Sequence, residues 1–273
     1  MTTETCCQFG ACQHLAGIVT APGEGTSHLS RRAVVLISAG LTGKSGPFRL
    51  YTELARRLAG LGCLTLRFDL GGIGDSQQAD HESPLKARTS QDIRDALDFL
   101  TSRFALDHIT LAGLCSGADD AFTYAELDAR VAEVVLIDPF AYRTAGWRWR
   151  NALHRAARRV LQVRARRGRG APAVPLCASA TSDVLVDYKS IAHAESSRIL
   201  GVLLKREAAL HFFYTGGSSD TFNHPGQLQE MFPALDLGRV TVNHLPRLGH
   251  TQLLAGDRAV LIESIARRLQ FAS

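Results

Sequence analysis

No apolar run in this chain approaches the roughly 18 residues that a membrane-spanning helix requires; the longest, such as Ala33 to Ile37 and Val134 to Ile137, are strand-sized. No transmembrane segment is expected. Met1-Thr2-Thr3-Glu4 shows no basic stretch leading into apolar residues, so no secretory leader is expected and the cytoplasm is the default address. None of the six cysteines forms a C-x-x-C pair, and 273 residues can bury a core without disulfides, which favours a reducing compartment. No metal-ligand spacing and no glycine-rich loop in a nucleotide-binding context is found, so neither metal nor cofactor is expected. With 45% hydrophobic and 21% charged residues, disordered, collagen-like and coiled-coil classes are excluded.

The most local absence is of acid. From Pro139 to Ser182 there is no Asp or Glu, while ten arginines lie between Arg143 and Arg169. The whole chain carries only +5, so this segment's +10 leaves −5 for the remainder. The basicity is local, and no recognised nucleic-acid motif accompanies it, so nucleic acid is not the expected partner.

What is present is an alternation of strands and helices. A hairpin is expected around Phe9-Gly10-Ala11, with Leu15 to Thr20 as its second strand. Buried strands follow at Ala33–Ser38, Leu64–Phe68, His108–Ala112 and Val131–Ile137, with Leu210–Tyr214 and Val240–Leu245 later. Helices are read after Pro47, from the apparent capping box Thr89-Ser90-Gln91-Asp92, after Gly117, and around Leu261, Ile262, Ile265 and Leu269. This order predicts an α/β class with a mostly parallel central sheet flanked by helices, and a site at the carboxyl ends of its strands. The alternation breaks between Phe140 and about Lys205. There Trp149, Ala152, Leu153, Ala156, Val160 and Val163 trace one apolar helix face amid arginines. Residues 141–205 read as an inserted Arg-rich helical cap after the sixth strand, and 1–140 with 206–273 as the core of a single domain.

The chemistry gathers at strand ends. Gly113-Leu114-Cys115-Ser116-Gly117 is a nucleophile elbow with Cys at its centre; Ser116 is offset by one position, so Cys115 is the expected nucleophile. A thiol at a helix N-terminus near a histidine is activated as thiolate. His250, after Leu248-Gly249, falls where the general base belongs in the order nucleophile, acid, histidine. The acid is expected at Asp220, beyond Tyr214-Thr215-Gly216-Gly217; the alternative is Asp138, after the sixth strand. The backbone N–H groups of Ser116 and Leu41 are the expected oxyanion donors.

These motifs resemble the α/β-hydrolases of the serine aminopeptidase-like group, and Arg67-Phe68-Asp69-Leu70-Gly71-Gly72-Ile73-Gly74-Asp75-Ser76 is similar to their R-x-D-x-x-G-x-G-x-S signature. The likeness runs from Leu15 to Leu269. Ala39-Gly40-Leu41, Gly46 to Tyr51 and the elbow look like bacterial hydrolases found beside exosortase and natural-product or surface-polysaccharide clusters. Cys at the elbow is similar to dienelactone hydrolases and polyhydroxyalkanoate synthases, and departs from peptidases. The resemblance implies the α/β-hydrolase fold and acyl transfer on an ester or thioester (thioesterase- or esterase-like) through an acyl-cysteine. An acyltransferase or cyclase sharing that intermediate, or a non-catalytic binding protein, are the alternatives. Arg148, Arg150, Arg155, Arg158 and Arg159 are the expected contacts to an acyl carrier protein or coenzyme A thioester, with peripheral contact to anionic lipid as a further reading.

Overall fold

The computed structural model describes residues 2–23, 31–40, 42–166 and 191–269; side chains of the helix ending at Arg166 are described through Ala157. Eight strands form one sheet: β1 (Thr3–Phe9), β2 (Leu15–Ala21), β3 (Arg32–Ile37), β4 (Leu64–Phe68), β5 (His108–Leu114), β6 (Val131–Ile137), β7 (Ala209–Thr215) and β8 (Val240–Leu245). Their spatial order is β1-β2-β4-β3-β5-β6-β7-β8. β1 and β2 make the expected antiparallel hairpin, with Phe9 opposite Leu15, and β2 lies antiparallel to β4. From β4 to β8 every pairing is parallel. This is an α/β-hydrolase fold, with the chain stepping one way from β3 to β4 and the other way from β5 onward. That reversal opens a crevice at the carboxyl ends of β3 and β5, the place where such sheets bind ligands.

The helices are α1 (Leu50–Ala59), α2 (Leu85–Arg103), α3 (Ser116–Ala125), α4 (Ala145–Arg166), α5 (His193–Lys205), α6 (Gln227–Met231) and α7 (Ala255–Arg268). Strand residues alternate between the sheet's two faces. Ala33, Val35, Ile37, Ile109 and Leu111 join Ile93, Leu97, Phe122, Ile199 and Leu203 on one side. Val34, Leu36, Ala112 and Leu114 meet Leu54, Leu58, Leu261 and Ile265 on the other.

Two sequence expectations are corrected. Helix α2 begins a turn earlier than the capping box implies: Pro84 occupies the N-cap, and Thr89 is buried inside the helix. Helix α5, assigned to the inserted cap by its position before Lys205, contributes Ile199, Leu200 and Leu203 to the main core. Its apolar stripe packs on the sheet-flanking layer.

At the amino ends of the strands, away from the crevice, Glu133 is buried among His108, His211 and Thr110. Burial pushes its carboxyl upward, but the three hydrogen bonds outweigh this and hold it down at about 2.

Candidate active site

Cys115 follows β5 directly and caps the N-terminus of α3 with φ 54° and ψ −122°. A side chain in that conformation is strained, and the flanking glycines show why it is imposed. A Cβ on Gly113 would collide with the backbone of Gly117, and one on Gly117 with the carbonyls of Ile37 and Ser38. The strand-to-helix turn is therefore tight enough to lift the thiol, half-buried, to the rim of the sheet. Ser116, the neighbouring hydroxyl, is engaged elsewhere: its Oγ accepts a hydrogen bond from the Gly40 N–H at 2.8 Å.

His250 lies in the loop after β8. Its Nδ1 hydrogen-bonds Asp138 Oδ2 at 2.8 Å, which leaves Nε2 as the nitrogen that can serve Cys115, the second group that raises the ring. Asp138 follows β6 directly, itself at φ 46°, with its side chain only 2% exposed. Thr215, at the end of β7, fixes that carboxylate twice: its N–H donates to Oδ1 and its hydroxyl to Oδ2, both at 2.6 Å. The Asp138 hydrogen bond and then that to Cys115, working against burial, raise the His250 ring from its ordinary 6.5 to about 10.

The expectation of Asp220 as the acid is thus corrected. Asp220 is exposed, and its backbone carbonyl accepts from Arg143 Nε. The Gly216-Gly217 turn that pointed to it serves a different end: Gly216 N–H donates to Leu248 O, and a Cβ on Gly217 would collide with His250. These glycines seat the histidine loop. Sequence reasoning took them as a lead-in to a carboxylate; a glycine pair one strand away from a candidate base is equally a clearance signal.

Two further side chains hold the crevice together. The buried Tyr51 hydroxyl donates to Ile37 O and accepts from Leu114 N–H, both at 2.9 Å, tying the ends of β3 and β5 beside Cys115. Tyr51 was legible only as an apolar helix position; its hydroxyl role depends on tertiary placement. Buried Asp69 of the signature stretch accepts from Lys44 Nζ at 2.7 Å and Asp75 N–H at 2.9 Å. Ser76 Oγ donates to Asp69 O and accepts from Ala16 N–H. The signature thus pins the loop after β4 to β2 and to the loop carrying Lys44. Of the expected oxyanion donors, Ser116 opens α3 beside the thiol, and Leu41 lies outside the described residues.

A family profile described as serine aminopeptidase, S33 matches residues 30–194. The chain belongs to that family. Comparison with curated proteins found no match. Among solved structures, an alpha-beta serine hydrolase homologue from Coxiella burnetii is 17% identical, with 98% of this chain and 97% of that chain covered and a TM-score of 0.59. A serine hydrolase from Xanthomonas campestris described as lacking a lid is 15% identical, with 100% and 97% covered and a TM-score of 0.57. A dienelactone hydrolase-like promiscuous phosphotriesterase from metagenomic libraries is 15% identical, with 98% and 97% covered and a TM-score of 0.56. At these identities the likeness shows the shared fold.

Within this S33 member, the basic helix α4 departs from its expected arrangement. Trp147 is buried, its Nε1 donating to Ser219 O at 3.4 Å, and Arg143 lies over its ring. Arg150 pairs with Glu230 at 2.7 Å and with Asn223 at 2.8 Å. Arg150 is thus a structural anchor, while Arg148 and Arg155 are exposed with no ion pair among the described residues. The side chains of Arg158 and Arg159 lie outside the described residues. The face traced by Trp149, Ala152, Leu153 and Ala156 turns outward: Trp149 is 67% and Leu153 52% exposed. Among the described residues no cluster of His, Cys, Asp and Glu could hold a metal, and no helix is long and apolar enough to cross a membrane.

Proposed function

We propose that this S33 hydrolase-family member cleaves an ester or thioester through an acyl-Cys115 intermediate, with His250 as acid and base and Asp138 orienting it. The observation that supports the reading most directly is the hydrogen bond from His250 to buried Asp138, with Cys115 in the elbow at the end of the neighbouring strand as the other group acting on the ring, at the carboxyl ends of β5, β6 and β8. His250 Nε2 takes the Cys115 proton as the sulfur attacks the carbonyl carbon, and the carbonyl oxygen takes the negative charge at the Ser116 amide. As the tetrahedral intermediate collapses, the bond to the leaving oxygen or sulfur breaks and His250 Nε2 delivers its proton there. A ring held protonated to about 10 suits this donation. Water then attacks the thioester while His250 removes its proton. Collapse of the second intermediate frees the acid and returns the thiol. Exchange of one thioester for another is nearly isoenergetic, so the cysteine favours activated acyl donors over amides.

The test is intact mass spectrometry of the protein mixed with acyl-coenzyme A and p-nitrophenyl ester donors, beside Cys115→Ala. An acyl mass on the wild type alone, discharged by water, supports the hydrolase. Discharge by added amine or alcohol but not by water would make the protein an acyltransferase. No adduct and no product would leave a hydrolase-fold binding protein.

A further inference from the structure

The outer face of α4 presents a combination that soluble helices avoid. The helix docks inward through Trp147, Arg150 and, on the adjoining turn, Thr144, whose hydroxyl also bonds Glu230. Trp149, Ala152, Leu153 and Ala156 fall at i, i+3, i+4 and i+7 on the opposite side, all exposed. The two tryptophans, two residues apart, face opposite ways: 7% exposed for Trp147 against 67% for Trp149. Arg148 and Arg155 flank the apolar strip, and a shallow groove of about 390 Å³ on that flank is lined by Trp147, Arg148, Asn151 and Arg155. Among the described residues, the one acid bound to this helix, Glu230, is already engaged by Arg150. A second observation concerns the other segments that leave the same end of the sheet. Phe48, Leu85, Leu253 and Leu254 are also exposed large apolar side chains, and they lie in the segments between β3 and α1, at the start of α2, and between β8 and α7. All of these leave the carboxyl end of the sheet, as α4 does.

We propose that the outer face of α4 is a docking surface for an anionic lipid bilayer. Trp149 and Leu153 enter the boundary between headgroups and acyl chains, and Arg148 and Arg155 bind lipid phosphates. Apolar side chains spread over several separate loops suit a flat bilayer better than a single partner helix. From Pro139 to Ser182 the sequence itself offers no acid to oppose an anionic surface. The surface is independent of the acyl chemistry and would stand if Cys115 were inert.

The experiment is flotation of the full chain with vesicles of phosphatidylcholine alone and of phosphatidylcholine mixed equally with phosphatidylglycerol. A parallel fluorescence measurement uses brominated acyl chains as quencher. Binding is expected to the anionic vesicles and not to the neutral ones. Quenching is expected in the wild type and not in Trp149→Phe, because Trp147 stays inside. Leu153→Glu should weaken partition by about tenfold or more, from the lost burial of one leucine, with an unchanged melting temperature because the position is exposed. No binding to anionic vesicles overturns the proposal. So does binding that Leu153→Glu leaves intact and brominated chains do not quench, which would be contact by charge alone. Shielding of Trp149 from acrylamide without lipid would mean that this chain or a second copy covers the face. Tight capture by an acidic acyl carrier protein with no vesicle binding would assign the face to that partner instead.

Discussion

Asp138→Asn is the sharpest perturbation of the proposed catalytic line. The substitution keeps the shape and an oxygen for the Thr215 N–H, but turns the oxygen shared by the Thr215 hydroxyl and His250 Nδ1 into an amide NH2 and removes the charge facing the ring at 2.8 Å. Hydrogen bonds and charges from Asp138 and Cys115 raise the ring from 6.5 to about 10 against burial. Converted without discount this difference is about 5 kcal/mol. The His250 side chain is 39% exposed, so solvent screens the interaction, and Cys115 shares it. About 1–2 kcal/mol remains for Asp138, roughly a five- to thirtyfold effect, and loss of ring orientation adds to it. A fall in kcat/KM on the order of 10²–10³ is expected. The assay is ester or thioester turnover alongside the pH dependence of iodoacetamide alkylation of Cys115. In the wild type the ring's titration should appear near 10 and in Asp138→Asn move toward 6.5. Because the raised pKa belongs to the folded state, its contribution to stability is complete below about 6.5 and is lost as pH rises toward 10. The variant should lose that slope. If Asp138→Asn stays within about threefold of wild type while Asp220→Asn collapses, the reasoning is refuted.

Thr215→Val removes a hydroxyl that donates to Asp138 Oδ2; turnover should fall about tenfold and return with Thr215→Ser, measured on the same substrate. Gly217→Ala places a methyl where the His250 side chain stands, so activity should drop by at least about tenfold while iodoacetamide still reaches Cys115; unchanged turnover would remove the glycine's seating role. Tyr51→Phe leaves the Leu114 N–H and Ile37 carbonyl unpaired in the core, for an expected loss of about 1–3 kcal/mol in urea unfolding. Glu133→Gln tests the buried cluster at the far end of the sheet. In the wild type the folded-state carboxyl lies at about 2, below its ordinary 4.5, so its contribution is present above about 4.5 and lost as pH falls toward 2. Acid unfolding followed by circular dichroism should show a shallower slope over that window in the variant.

How far the sequence reached depended on whether a signal was local. β4, read from the alternation of Leu64, Leu66 and Phe68, and β6, read from its apolar residues, occupy the segments expected of them, because strand side chains alternate between faces and a doubly covered strand is apolar on both. The turns that carry Cys115 and His250 were legible as strand-end turns, which is where the structure places them. The choice between Asp138 and Asp220 was not, since both follow strands and only the meeting of the loops after β6 and β8 decides it. One local clue did exist: Asp138, like Cys115, ends its strand directly, whereas Asp220 stands beyond a further turn. The outward turn of Trp149 and Leu153 reversed the usual inference that a helix's apolar stripe faces inward. Nothing in the periodicity distinguishes the two orientations; the anchors Trp147 and Arg150 do, through partners about 70 to 80 residues away.

Cys115 and Asp138 are both non-glycine residues held at positive φ, at the ends of adjacent strands. Each such residue costs a fold on the order of 1–3 kcal/mol. Cys115, on which the proposed chemistry depends most, is thus a residue that the scaffold would gain by losing, whereas Asp138 recovers its cost through Thr215 and His250. Cys115→Gly should unfold at a higher temperature than the active protein while turning over nothing. Left to drift without selection on turnover, this lineage would shed its reactivity early and keep its architecture, becoming sturdier as it became inert.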